Sequence, residues 1–293
     1  MESLGNLLTA MVTPFKQDLS VDYDIAKKLA LYLLEEGSDG IVVSGTTGES
    51  PTLEFNEKVE LFRTVKEAVG DRAVVVAGSG TNSTADSIKL TQAAEKVGVD
   101  ACMLVTPYYN KPPQNGLYAH FRSIAESTSL PVVIYNVPSR TAQNVDAETT
   151  ISLSRVPNII AVKEASGNTD QVARIVSGAE DGFLVYSGDD SFTLPLLALG
   201  GVGVISVASH VVGKEFKELV DAHHRGDEAK AREIHFKLLP LFKGLFMTTN
   251  PIMVKAALKL KGLDVGGLRL PLVMATPDQV KILREIMIQV GAI

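Results

Sequence analysis

Eight short apolar runs recur along the chain at nearly even spacing, and this limits its possible folds more than any other feature. They are LLTAMV (7–12), GIVVS (40–44), AVVVAG (73–78), ACMLV (101–105), VVIYN (132–136), IIAVK (159–163), FLVYS (183–187) and GVISV (203–207), with starts about 20 to 33 residues apart. That spacing is the length of a strand–loop–helix–loop unit. The runs are continuously apolar instead of alternating, as parallel strands covered on both faces should be. Helical period fills the intervals. In residues 21–37, Ile25, Leu29, Tyr32 and Leu33 are predicted to share a face, with Gly37 just past the helix. In residues 83–98, Ile88, Ala94 and Val97 do the same before Gly98.

Eight such units make an α/β fold of the (β/α)8 TIM-barrel type the economical architecture. An open doubly wound sheet fits less well, because VTPFKQD follows the first run where that fold needs a glycine fingerprint. Beyond the eighth run the pattern is helical only. The last barrel helix is expected at 213–225, dividing the chain into a catalytic barrel (1–226) and a C-terminal helical region (227–293). That appendage is expected to pack on the barrel or between subunits, not to perform chemistry. A length of 293 residues suits this plan, since such barrels reach roughly 250 residues as one domain.

Charge and cysteine content exclude several functions. A formal net charge of -6 argues against nucleic acid, which requires a basic face. The single cysteine, Cys102, can form no internal disulfide and sits in an apolar run, so a buried, inert thiol is expected. Five histidines (His120, His210, His223, His224 and His235) show no metal-ligand spacing. The segment MESLGNLLTAMVTPF lacks a basic stretch followed by a long apolar one, and no run is long enough to span a bilayer. A cytoplasmic protein is expected.

In a barrel of this type the strand C-termini share one mouth, where chemistry is done. The second run leads into GTTGES (45–50), the fourth into TPYYN (106–110), the fifth into NVPSRT (136–141) and the seventh into SGDD (187–190), while the sixth ends on Lys163. Thr46, Thr47, Tyr108, Tyr109, Tyr135, Arg140 and Lys163 should therefore converge. Singly, each has an ordinary reading: a turn hydroxyl, an interface aromatic, a surface cation, a solvated strand end. Together they form a chemical set. A desolvated lysine amine adds to a keto group to give an imine, and the imine is an electron sink that turns the adjacent carbon into an enamine nucleophile. Tyr135, one strand away, can move protons, with Thr47 and a loop tyrosine extending the relay. Arg140 offers a bidentate fork to a carboxylate. This describes a class I aldolase-type enzyme for a 2-oxo acid and a carboxylate-bearing aldehyde.

The motifs GTTGES, TPYYNKP, YNVPSRT, KEASGN and SGDD, in this order and spacing, resemble the 4-hydroxy-tetrahydrodipicolinate synthase family, also called dihydrodipicolinate synthase. The resemblance runs from about residue 4 to the end. It implies condensation of pyruvate with L-aspartate 4-semialdehyde, towards diaminopimelate and lysine. It further implies that Lys163 forms the pyruvate imine and that Tyr135 is the central acid/base, relayed through Thr47 and Tyr109. Tyr109 would reach into a neighbouring subunit's site, within a homo-oligomer that is usually a tetramer (a dimer of dimers). Arg140 would hold the semialdehyde carboxylate, and Thr46, Thr47, Gly188 and Ile205 would line the pyruvate pocket. No metal or organic cofactor is implied.

Related families share the barrel and the lysine, namely N-acetylneuraminate lyase and the 2-keto-3-deoxy sugar acid aldolases. Arg140 and the double threonine favour the synthase. A non-enzymatic ligand-sensing barrel would be expected to lose Lys163 or Tyr135. A phosphate site built from GSGTN (78–82), SGDD and GGVG (200–203) is disfavoured by Asp189 and Asp190, which would repel an anion. The resemblance also suggests a possible allosteric lysine site at Ser50, Asn82 and Tyr108. Phe55, Lys58, Pro51 and Asp86 depart from the pattern of lysine-inhibited members, and Lys58 brings a like charge to a cationic ligand. Weak or absent feedback is expected.

Overall fold

The computed structural model describes residues 4–293. All eight apolar runs form strands: β1 (Leu7–Ala10), β2 (Gly40–Val43), β3 (Val74–Gly78), β4 (Ala101–Val105), β5 (Val132–Asn136), β6 (Ile159–Glu164), β7 (Leu184–Ser187) and β8 (Gly203–Ser206). They close in sequence order into an all-parallel barrel. The closing pair, β1 with β8, sets Leu8 opposite Ile205, which rules out the open sheet. Among the described residues no helix is long and apolar enough to cross a membrane.

Strand alternation divides the apolar residues into two cores. One, including Leu8, Val42, Val76, Met103, Val133, Tyr135, Ala161, Tyr186 and Ile205, fills the barrel interior. The other lies between the strands and the surrounding helices. Alternation thus puts Lys163 on the same face as Ala161, inside the barrel. Strand ends differ from the sequence expectation for traceable reasons. The first stops at Ala10 because the Val12 N–H donates to His210 Nε2 (3.2 Å) instead of to a strand. The sixth continues one residue past Lys163, to Glu164.

The helix faces need one correction. In the helix Thr84–Val97 the buried residues are Ser87, Leu90, Thr91 and Ala94, whereas Ile88 and Val97 are only partly buried. Two hydroxyls turn the stripe: Thr91 pairs with Ser79 (2.8 Å), and Ser87 Oγ accepts from the Thr81 N–H (2.8 Å). In the helix Tyr23–Glu35, Ala26 and Ala30 are buried beside Leu29 and Leu33, displacing Ile25 and Tyr32 to the margin. Gly37 and Gly98 both have positive φ, +98° and +87°, as helix-terminating glycines require.

The last barrel helix runs Ser209–His224 but breaks at Val212 (φ −130°, ψ 43°), so its regular turns begin near 213. There a Cβ on Gly213 would lie 2.4 Å from Glu36 O, so only glycine permits this approach. Three further helices follow, Glu228–Gly244, Ile252–Leu260 and Pro277–Val290.

This C-terminal region is anchored to the loop after β2 by charge. Lys255 Nζ lies 2.6 Å from Glu49 Oε1, with both side chains 1% exposed. Lys255 Nζ also donates to Gly267 O (2.7 Å) and sits 4.3 Å from the centre of the Phe15 ring. Arg269 continues the tie. Its backbone N–H donates to Glu49 Oε2 (3.0 Å), and its guanidinium forks onto Glu57. Burial lowers the Lys255 pKa, opposed by the Glu49 charge. Breaking such a buried pair strands one ion, costing about 3–5 kcal/mol, whereas replacing both partners is near neutral. Urea titration of Lys255→Met should therefore show a loss of about 3–5 kcal/mol, mostly recovered in Glu49→Gln/Lys255→Met. Equal losses in the single and double variants would contradict the pair's role.

Candidate active site

Strand register brings the central groups together. Tyr135 on β5 is opposite Lys163 on β6, which is opposite Tyr186 on β7. Lys163 Nζ lies 4.3 Å from the centre of the Tyr135 ring, and both residues are 5% exposed. Lys163, Tyr135, Thr46, Thr47, Arg140, Gly188 and Asn250 line one cavity of about 230 Å³. An adjoining cavity of about 240 Å³ shares Thr46, Tyr135, Val137 and Arg140 with it. Arg140, on the short helical turn Pro138–Thr141, thus stands exposed at the rim between them.

Burial dominates the electrostatics. It pushes the Lys163 ammonium down to about 7, the Asp190 charge partly opposing this and Arg140 adding to it. A substantial fraction of the amine is therefore neutral near neutral pH. Burial also raises the Tyr135 phenol, against the pull of Arg140 and a hydrogen bond from Thr46. Tyr135 consequently keeps its proton and can donate it. Space around the lysine depends on Gly188, since a Cβ there would lie 3.2 Å from Lys163 Cγ and Cε.

Two of the expected residues stand elsewhere. Tyr109 is 90% exposed and has a positive φ of 74°, so within one chain its ring is outside both cavities. Ile205 packs in the barrel interior and lines neither cavity. Thr46 is the threonine that lowers the Tyr135 pKa, while Thr47 Oγ1 accepts from Asn250 Nδ2 (2.9 Å).

Three polar residues to which the sequence reading gave no catalytic role support the site. Asp190 is buried and accepts from the backbone N–H groups of Val207 and Ala208 (3.3 and 2.8 Å), so those donors are engaged and unavailable to a phosphate. Burial raises its pKa to about 6, against its hydrogen bonds from Ser206, Ala208 and Val207. Glu164, fully buried, accepts from Asn136 Nδ2, Gln171 Nε2 and the Ser166 N–H, fixing the turn after Lys163. Asn250 comes from the C-terminal region expected to play no part. Cys102, by contrast, is the buried thiol expected, pushed up to about 12 by burial.

The cavity beside Arg140 is also lined by Ser50, Pro51, Lys58 and Tyr108. Asn82 is adjacent, its Nδ2 donating to Tyr108 O (3.2 Å) and its backbone carbonyl accepting from Asn110 (2.9 Å).

A buried lysine facing a tyrosine within a closed parallel barrel narrows the choice of relatives, and comparison completes it. The model of the dihydrodipicolinate synthetase family matches residues 3–290. The chain belongs to this family. A 4-hydroxy-tetrahydrodipicolinate synthase from Moorella thermoacetica is 58% identical over 275 residues, covering 94% of both chains. Among solved structures, a dihydrodipicolinate synthase from Cyanidioschyzon merolae with lysine bound superposes at a TM-score of 0.97, with 49% identity and 99% of each chain covered. One from Bacillus anthracis gives 0.96, with 48% identity and 98% of each chain covered. Dihydrodipicolinate synthetase family membership and the barrel arrived at by strand spacing are thus two independent routes to one fold.

Proposed function

We propose that this chain is a 4-hydroxy-tetrahydrodipicolinate synthase, condensing pyruvate with L-aspartate 4-semialdehyde through an imine on Lys163. The observation carrying the chemistry is a buried amine with a pKa near 7 beside the Tyr135 ring, with Arg140 at the rim. Near-full-length relatives of the same name support the substrate pair. The Lys163 amine adds to the pyruvate keto carbon, and loss of one water gives the imine. Removal of a C3 proton gives the enamine, which attacks the aldehyde carbon, and the new alkoxide takes a proton relayed through Tyr135. The amino group of the chain-extended product then displaces Lys163 from the imine carbon, closing the ring and freeing the enzyme. The imine is the electron sink, so this sequence calls on no metal or organic cofactor.

Arg140 would hold the semialdehyde carboxylate, and Thr46, Thr47 and Gly188 would border pyruvate. Tyr109 would serve a neighbouring copy. Its 90% exposure supports that reading, as does an apolar surface at Leu270 (76%), Val273 (59%) and Met274 (52%). A homo-oligomer, a tetramer made of two dimers, accommodates both. Assaying purified protein with the two substrates should give turnover, whereas N-acetylneuraminate and 2-keto-3-deoxygluconate should not be cleaved. The reverse preference would overturn the assignment.

Lysine should inhibit weakly or not at all. Lys58 lines the cavity beside Ser50 and Tyr108, where its ammonium repels a cationic ligand, an effect reduced to the extent that burial lowers the Lys58 pKa. Half-maximal inhibition at submillimolar lysine in an initial-rate assay would refute this, and Lys58→His, which removes the charge near neutral pH, should raise lysine sensitivity.

A further inference from the structure

We infer that Asn250 is a positioning residue for the reaction, donating to Thr47 Oγ1 so that the threonine's own hydrogen is turned into the cavity shared by Lys163 and Tyr135. The inference rests on the proposed role of Thr47 in proton movement. An amide nitrogen can only donate, so in the 2.9 Å contact the threonine oxygen is the acceptor. Its O–H is left to point elsewhere. Thr47 is 3% exposed and lines the cavity that holds Lys163 and Tyr135. An unconstrained hydroxyl could satisfy itself on any nearby carbonyl, and Asn250 fixes its polarity in the sense a proton relay needs.

Two observations set Asn250 apart from an ordinary buried amide. It is 4% exposed, yet its Oδ1 has no hydrogen-bond partner among the described residues, whereas an asparagine buried for structure alone would satisfy both ends. It also lines the lysine cavity itself. Its position is over-determined. The helix Ile252–Leu260 begins two residues later, and Lys255 on that helix is ion-paired to Glu49, two residues after Thr47. The C-terminal region and the loop after β2 are thus joined within the site as well as through Lys255 and Arg269 at Glu49. On this inference the turn between the helices Glu228–Gly244 and Ile252–Leu260 contributes to the chemistry in addition to packing on the barrel.

The test is a double-mutant cycle on the full-length protein, comparing Asn250→Ala, Asn250→Asp, Thr47→Val and Asn250→Ala/Thr47→Val. Asn250→Asp keeps the shape but replaces the donor with a carboxylate, which draws the Thr47 hydrogen towards itself. Both Asn250 variants should lose about 10- to 100-fold in kcat, with KM for pyruvate changed less than about threefold. Thr47→Val should lose at least as much, and adding Asn250→Ala to it should change kcat by less than about threefold. Losses that multiply in the double variant would overturn the inference, as would kcat within about twofold of wild type in Asn250→Asp. If Thr47→Val alone keeps full kcat, the proposed relay fails and this inference falls with it. A loss in Thr47→Val with none in the Asn250 variants rejects the inference alone. A thermal melt of each variant guards against unfolding, and the isosteric aspartate carries the test if alanine does not fold.

Discussion

Lys163→Met should abolish condensation, lowering kcat by on the order of 10⁴-fold or more, and should also make the protein more stable. The first effect follows because Lys163 is the buried amine of its cavity, whereas Lys243, which also lines it, is exposed and donates to Ser191 Oγ (2.8 Å), and removing the nucleophile typically costs that much. The second follows from the same burial that activates the amine. Its pKa falls from 10.5 to about 7 on folding, the protein paying for reactivity in stability. Below pH 7 the amine is protonated in both folded and unfolded chains, and the cost of burying the charge is felt in full. Between pH 7 and 10.5 the unfolded chain binds more protons than the folded one, so wild-type stability rises with pH across that window. At full slope this contribution is about 1.4 kcal/mol per pH unit. Methionine fills the space without the charge. A gain of ~1 kcal/mol, or about 2–4 °C in thermal midpoint at pH 7, is expected, with the pH-dependent rise reduced. In the wild type, kcat/KM for pyruvate should climb with pH through about 7 as the neutral amine appears. A variant less stable than wild type, with an unchanged pH–stability slope, would show that the amine is not held in a dry site.

Tyr135→Phe should reduce kcat by about 10²- to 10⁴-fold while leaving the lysine able to form its imine. The ring 4.3 Å from Lys163 Nζ is kept, as is its packing in the barrel interior, so only the phenolic proton is removed. Burial raises the Tyr135 pKa, so at neutral pH the group is a proton donor whose loss should show in the steps after pyruvate is bound. Steady-state kinetics should show the loss in kcat with KM for pyruvate little changed. Turnover within about tenfold of wild type would remove Tyr135 from the relay.

The barrel was legible because its strands are buried on both faces, and continuous apolar runs at repeat spacing have few other readings. Lys163 was legible for a related reason, since an ammonium at the end of such a run must be either solvated or used. The buried face of the helix Thr84–Val97 is centred towards Ser87 and Thr91, leaving the expected Ile88 and Val97 partly buried beside the expected Ala94, because periodicity in apolar residues cannot weigh a buried hydrogen bond. Asn250 was invisible for a different reason. It lies 203 residues from Thr47 in sequence, and an asparagine before a proline reads as a turn. Asp190 was read only as a charge repelling an anion and Glu164 only as part of a motif, because acidic residues at strand ends ordinarily face water, and only the closed barrel shows which backbone donors they satisfy. Tyr109 sits outside both cavities in a single chain, since its proposed partner is another copy.

Borohydride reduction with and without pyruvate, followed by peptide mass mapping, addresses the central claim at one atom. A pyruvate-dependent, irreversible adduct confined to the peptide containing Lys163, with activity lost in proportion, is the predicted result. An adduct elsewhere, or full activity after reduction in saturating pyruvate, would contradict it.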